Sequence, residues 1–194
     1  DYYAARGLYP QQAWDKRLGN AAHHVHGARR EPVPGDVPPV PFSLILNLVG
    51  VMGEEADEAT VWAYLANYAP DATPEGNPEL DALIRHAVAY VRDVVAPTLT
   101  KRGANVKERA ALADLSERLA AVAGAVQAED IQNEVYAVGK DHGFDPLRSW
   151  FTALYETLLG SSQGPRMGSF ITLYGIENTR ALIDEALTRT SETV

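Results

Sequence analysis

The chain has 194 residues, no cysteine, and 17 Lys and Arg against 26 Asp and Glu, a formal net charge of -9. That length holds one large domain or two small ones with a real core, and 46% apolar against 22% charged residues is the balance of a folded protein rather than a disordered one. The missing Cys excludes a disulfide framework, a zinc ribbon and a thiol nucleophile, and the acid surplus speaks against a generic nucleic-acid binder, because neutralising phosphates takes surplus Lys and Arg.

The chain starts at Asp1-Tyr2-Tyr3 with no initiator Met, so it is expected to be processed or a piece of something longer. Its first 30 residues are basic: Arg6, Lys16, Arg17, Arg29 and Arg30 face Asp1 and Asp15. Residues 31–41 read EPVPGDVPPVP, a stretch that cannot be helical and should run extended over a surface. From Glu31 to Ile84 there are ten acids and no Lys or Arg. We therefore expect residues 1–41 to be an irregular linking segment.

Beyond it the signal is helical. Ser43 is a plausible N-cap for Leu44-Ile45-Leu46, with Gly53 as the stop. The run from Leu44 to Met52 contains Asn47 and falls far short of the roughly 20 residues of a membrane span. Asp57 can cap a helix through Val61, Leu65 and Tyr68, stopped by Pro70. Asn77-Pro78 reads as an N-cap with Pro at the first helical position, followed by Leu80, Leu83, Ile84, Ala87, Val88, Val91, Val94 and Val95 at amphipathic spacing up to Pro97. A basic island, Lys101, Arg102, Lys107 and Arg109 against Glu108, precedes a helix over 107–123 with Leu112, Leu115, Leu119 and Val122 inward. Another carries Ile131, Val135 and Val138 and closes near Gly143.

Asp145-Pro146 should start a helix with Leu147, Trp150, Phe151, Leu154 and Leu158 on one side, followed by Gly160. A polar loop then leads to a helix from Arg166 to Tyr174, and a last helix over about 177–188 should turn Ala181, Leu182 and Leu187 inward. Sustained period-2 alternation is absent, so the expected fold is all-α: a helical bundle over 42–126 and a C-terminal helical subdomain over 127–194. No internal repeat is present.

Few residues carry chemistry. His23, His24 and His26 cluster, but adjacent histidines cannot both face one ion from a regular element and no third ligand supports them, so they are expected at a surface or a domain interface. Glu54, Glu55, Asp57 and Glu58 gather where a helix macrodipole favours acids and are read as solvated. Gly164-Pro165-Arg166-Met167-Gly168-Ser169-Phe170 opens a helix, yet lacks the Lys-Ser/Thr end of a P-loop and any preceding strand. An Arg and a Gln at a helix start, flanked by aromatics, nonetheless suit contact with a base or a phosphate. Trp150, Phe151, Phe170 and Tyr174 sit at core spacing, while Tyr155 misses the apolar stripe and is the aromatic best suited to stacking. No nucleophile, base and orienting group can be assembled. The residues alone give an acidic, all-α, cytoplasmic protein that binds rather than catalyses.

Ordered blocks along nearly the whole chain resemble a family. Arg17-Leu18-Gly19-Asn20, His24-Val25-His26-Gly27, Phe42-Ser43-Leu44-Ile45-Leu46-Asn47-Leu48, Ala128-Glu129-Asp130-Ile131-Gln132, Gly143-Phe144, Trp150-Phe151-Thr152-Ala153-Leu154-Tyr155, Leu158-Leu159-Gly160, Gln163-Gly164-Pro165-Arg166-Met167-Gly168-Ser169-Phe170 and Leu173-Tyr174-Gly175 are similar to the region after the catalytic core of class I lysyl-tRNA synthetases. The chain departs from that pattern at Ala21-Ala22-His23 and at Met167, where an aromatic is usual. Neither the HIGH nor the KMSKS signature of the family's Rossmann-type catalytic domain is present, so the resemblance implies a non-catalytic C-terminal part: a helical segment and a cage-type anticodon-binding domain. It implies tRNA(Lys) and the chain's own catalytic domain as partners, with no membrane and no DNA, and places ATP and Mg in the catalytic domain with no cofactor here.

The same resemblance implies that the loop before the penultimate helix approaches the anticodon. Gln163 and Arg166 would read base edges or phosphate, and Tyr155 or Met167 would offer a stacking or apolar surface. Lys101, Arg102, Lys107 and Arg109 would touch stem phosphates. The alternative reading is an all-α docking module in which the acidic stretch meets a basic protein partner or the rest of the same polypeptide. A metal-dependent hydrolase is a third.

Overall fold

A computed structural model of the chain describes residues 12–13, 16, 40–53, 56–95, 98–122 and 127–189. His23, His24, His26, Glu54 and Glu55 lie outside the described residues. Among the described ones every regular element is helical.

Helix α1, Phe42–Met52, starts one residue before the expected cap: Pro41, in extended backbone, occupies the N-cap position, and Leu44, Ile45, Leu48 and Val49 are buried. Helix α2, Glu58–Tyr68, is capped as expected, with the Asp57 carboxylate accepting from Thr60 N at 2.7 Å. Helix α3, Pro78–Tyr90, begins on its Pro, but the Asn77 side chain turns back to accept from Thr73 N instead of capping the helix. The Trp62 indole donates to Asp81 Oδ1 at 3.1 Å, tying α2 to α3. From Val91 to Val95 the chain continues as a π-helical turn. The wider i→i+5 turn shifts the helix face, and Val94, expected inward, is 51% exposed.

Helix α4, Val106–Ala121, opens with a capping box of Asn105 and Glu108, and buries Ala111, Leu112, Leu115 and Leu119. Helix α5, Ala128–Asp141, buries Ile131, Gln132, Val135, Val138 and Gly139. Helix α6, Arg148–Leu154, starts later than Asp145-Pro146 suggests and passes into a second π-helical turn, Tyr155–Leu159. Helices α7, Met167–Tyr174, and α8, Ile176–Thr188, meet at Gly175. In α8 the inner face is Thr179, Leu182, Ile183 and Ala186, while Ala181 is exposed, contrary to the sequence expectation. The helix begins at Ile176, and Thr179 turns inward to donate its hydroxyl to Gly175 O at 2.8 Å.

The short α7 is the centre of the packing: it lies against α5, α2, α1 and α8. Its crossing with α5 is so close that a Cβ on Gly168 would stand 2.0 Å from Ala128 O. Gln132, only 2% exposed, reaches across that crossing and accepts from Gly168 N at 2.8 Å, satisfying an amide that the helix start leaves without an intrahelical partner. Trp150 is fully buried and donates its indole N–H to Val135 O at 2.9 Å. Buried residues from α1 through α8 form one apolar cluster, and α4 packs on both α5 and α8. The boundary expected at 126/127 therefore falls within shared packing. Among the described residues no helix is long and apolar enough to cross a membrane.

Candidate nucleic-acid interface

Gly160 ends the second π-turn in the left-handed region, at φ 75°, a conformation glycine adopts without steric cost. It turns the chain into the loop 161–166. There Ser161 Oγ donates to Gln163 O at 2.8 Å and accepts from Gln163 N at 3.3 Å, so the loop closes on its own polar groups. Tyr155 clamps it from below. Its hydroxyl donates to Pro165 O at 2.9 Å, and Gly164 lies so near that a Cβ there would be 2.5 Å from the Tyr155 ring. Burial pushes the Tyr155 phenol up, which keeps it a neutral donor.

This settles where the loop's candidate residues stand. Gln163 and Arg166 are exposed. Tyr155 is half-buried and positions the loop rather than standing open to solvent. Met167 is fully buried and offers no apolar surface to a ligand, in contrast to the surface expected of it: as the first residue of α7 it points into the core. Arg166 pairs with Glu129 at the start of α5, and both side chains are more than half exposed, 55% and 62%.

The basic island is used differently. Arg102 donates to both oxygens of Glu108, at 2.7 and 2.8 Å, to Glu156 Oε2 at 2.7 Å and to Gly103 O at 3.1 Å. Burial opposes ionisation of Glu108, but Arg102 and the Asn105 N–H outweigh it, so its pKa lies below the ordinary 4.5; the two carboxylates raise the Arg102 pKa in turn. Arg109 donates to Leu187 O and Arg189 O, closing the open end of α8. Lys107 donates to Gly143 O at 2.7 Å and lies over the Phe144 ring at 4.4 Å. Burial lowers the Lys101 pKa, and its ammonium stands 3.8 Å from Glu185. All four cations proposed for phosphate are turned to partners within the chain, Lys107 being exposed all the same.

Cations with neither an ion pair nor a side-chain hydrogen bond among the described residues lie elsewhere. On α5, Glu129, Asn133, Tyr136 and Lys140 share the face opposite the buried Ile131, Val135 and Val138. On α6 and its π-turn, Arg148, Phe151 and Tyr155 share one face. Tyr136 meets Phe151 edge-on at 5.2 Å, and Phe151 lies 6.5 Å from Tyr155, so the two faces join into a continuous strip. Tyr136 is 41% exposed. Lys140 and Arg148 are exposed and make no ion pair among the described residues. Sequence reading named Tyr155 for stacking and Phe151 for the core but passed over Tyr136, Lys140 and Arg148, although an aromatic on the polar side of an amphipathic helix, with a Lys four residues on, was the signal. The strip combines the exposed Tyr136 ring and the half-buried Phe151 ring with cations, the kind of combination that holds single-stranded nucleic acid, and it begins at the loop bearing Gln163 and Arg166.

Beside the strip, Arg118 holds α4 to α5: it bonds both oxygens of Asp114 at 3.0 Å and Asp141 at 2.7 Å, while His142 Nε2 lies 3.0 Å from Asp114. Arg118, and after it His142, keep the Asp114 carboxyl below its ordinary range. Among the described residues no group of three His, Asp or Glu is placed to hold a metal.

Comparison with known proteins adds relatives. The chain is 47% identical over 191 residues to a lysine–tRNA ligase of Roseobacter denitrificans, covering 96% of this chain and 34% of that protein. It is 36% identical over 177 residues to a lysine–tRNA ligase of Rickettsia bellii, covering 89% of this chain and 32% of the relative, and 34% identical over the same length to that of Rickettsia felis. The chain thus spans about a third of the length of the curated relatives it matches. No protein-family model matches it, and no solved structure matches it significantly.

Proposed function

We propose, from the premise that nearly the whole of this chain is homologous to about a third of the length of lysine–tRNA ligases, that it grips the anticodon stem-loop of tRNA(Lys) for a class I lysine–tRNA ligase. Aminoacylation with ATP and Mg belongs, on this reading, to a catalytic domain whose signatures are not in these 194 residues. This region supplies selection. The observation that carries the reading is the continuity of the polar loop 163–166 with the aromatic and cationic strip of α5 and α6.

The geometry supports the following roles. Arg166 exchanges its exposed Glu129 partner for a phosphate or a base edge; an exposed pair is worth about 1 kcal/mol or less, so little is lost in the exchange. Gln163 presents both an acceptor and donors to the edge of an unstacked base. Tyr136 and Phe151 offer ring surface to loop nucleotides, and Lys140 and Arg148 meet the backbone phosphates beyond them. Tyr155 and Met167 hold the loop in place from beneath, and Arg102 and Arg109 hold the scaffold. A short hairpin needs few contacts, which reconciles an RNA ligand with a net charge of -9.

The test is binding of tRNA(Lys) and of a non-cognate tRNA by fluorescence anisotropy over a range of salt concentrations. Arg166→Ala is expected to reduce the preference for the cognate tRNA. Lys140→Ala is expected to weaken both tRNAs alike and flatten the salt dependence. If Arg166→Ala changes neither affinity nor preference, the assignment of the loop fails. A basic protein partner that survives ribonuclease and competes through the acidic helices would favour docking instead.

A further inference from the structure

Beside the 161–166 loop, lined in part by its Ser161 and Gln163, lies a partly open cleft of about 220 Å³. Its walls are apolar and come from unusual places: Val91 and Val95 belong to one π-turn, Leu159 to the other, and Leu99 lies on the segment between α3 and α4. The two π-helical turns in the described chain thus face the same space. Such turns cost regular hydrogen bonding and recur at functional sites. Next in sequence to the lining residues Leu99, Leu159 and Ser161, Thr100 N donates to Gly160 O at 3.4 Å and ties the two segments together.

Its polar groups are confined to Asn47, Ser161 and Gln163, and no charged side chain lines it. Asn47 Nδ2 donates to Ser43 O at 2.7 Å, which leaves its Oδ1 as an acceptor. The Gln163 side-chain amide has no hydrogen-bond partner among the described residues and is exposed. A free phosphate or an amino acid would find no counter-charge here. A neutral ring with donors and acceptors along one edge and apolar faces fits both the walls and the rim. We infer that this cleft receives a single nucleobase unstacked from the bound RNA loop, its faces between the π-turn side chains and its edge on Gln163 and Asn47. The inference rests on the proposed function, because it takes its RNA from that reading, and it makes Gln163 a residue with an interior face as well as an exterior one.

Gly50 provides the test. It lines the cleft from α1, and a Cβ there would stand 3.4 Å from Leu99 Cδ1, so Gly50→Leu fills the space, while replacing a helix-interior glycine favours the helix by about 1 kcal/mol. The full chain is titrated with the anticodon hairpin of tRNA(Lys), intact or with one loop nucleotide at a time made abasic. Gly50→Leu is expected to bind the intact hairpin about tenfold more weakly than the wild type. One abasic position should cost the wild type a similar factor and cost Gly50→Leu nothing further. Methyl NMR on the wild type gives a readout that no substitution can disturb: the Val91, Val95, Leu99 and Leu159 methyls should shift on addition of the intact hairpin and stay in place with that abasic one. Unchanged methyls, or a folded Gly50→Leu that binds like the wild type, overturn the cleft and leave the RNA reading standing. A wild-type chain that does not bind the hairpin overturns both.

Discussion

Arg102 and Arg166 are both arginines paired with glutamates, yet they belong to different parts of the protein's economy. Arg102 spans two carboxylates, and its main partner Glu108 has a side chain only 8% exposed that also closes the capping box of α4. Arg166 and Glu129 are each more than half exposed, in a single contact at the edge of a loop. A charge held out of water among several donors is strongly disfavoured when its partner is removed, whereas an exposed pair is screened and easily traded. The first arrangement builds the scaffold; the second leaves a cation that a ligand can recruit. Charge alone does not distinguish them. Burial does.

The comparison can be broken most severely from beneath the loop. Gly168→Ala drives a Cβ into Ala128 O at the crossing of α7 and α5 and should cost about 3 kcal/mol or more in urea denaturation, taking the Arg166 loop with it. Glu108→Gln tests the buried arm: it should lower stability by about 2 kcal/mol, through the bidentate Arg102 contact and the capping box. Glu129→Gln, its exposed counterpart, should change stability by less than about 0.5 kcal/mol and tighten RNA binding slightly by removing a competing carboxylate. Because Glu108 titrates below its ordinary 4.5 when folded, its contribution is complete above that pH and is lost as the pH falls through the lower folded value. Acid melting of Glu108→Gln should accordingly converge on that of the wild type.

Smaller effects sharpen the exposed side. Arg166→Ala should weaken hairpin binding about tenfold with stability unchanged within about 0.5 kcal/mol, measured by anisotropy and thermal melting. Lys140→Ala or Arg148→Ala should weaken binding about threefold and reduce the salt slope by about 1 each. Lys107→Ala, whose ammonium already holds Gly143 O and covers Phe144, should leave that slope alone and lower stability by about 1 kcal/mol. A reduced slope for Lys107→Ala would place the phosphate contacts on the basic island after all.

Much of the scaffold was legible in residue order. The Asp57 cap, Pro78 at a helix start, the glycine stops and the Leu112, Leu115, Leu119 stripe all act within a turn or two of themselves, so local sequence suffices to place them. Val94 was assigned to the wrong face because a π-turn, which has no periodic signature, changes the register, and Ala181 because the inner stripe of its helix runs through Thr179, Leu182, Ile183 and Ala186, a threonine included. At the loop, the chemistry of Gln163 and Arg166 was readable, but the burial of Met167 and the clamp by Tyr155 depend on α7 sitting at the centre of the packing.

The sequence by itself determined that the chain folds into helices, where most of them begin and end, and that its charge is segregated, because these depend on short-range sterics, capping and apolar periodicity. Only the tertiary structure decided which cations are free. Lys101, Arg102, Lys107 and Arg109 face partners as distant in sequence as Glu185, Glu156, Gly143 and Leu187, whereas Lys140 and Arg148 face solvent. Whether a charge is spent within the protein or available to a ligand depends on what folding brings beside it, and no pattern along the chain encodes that neighbour.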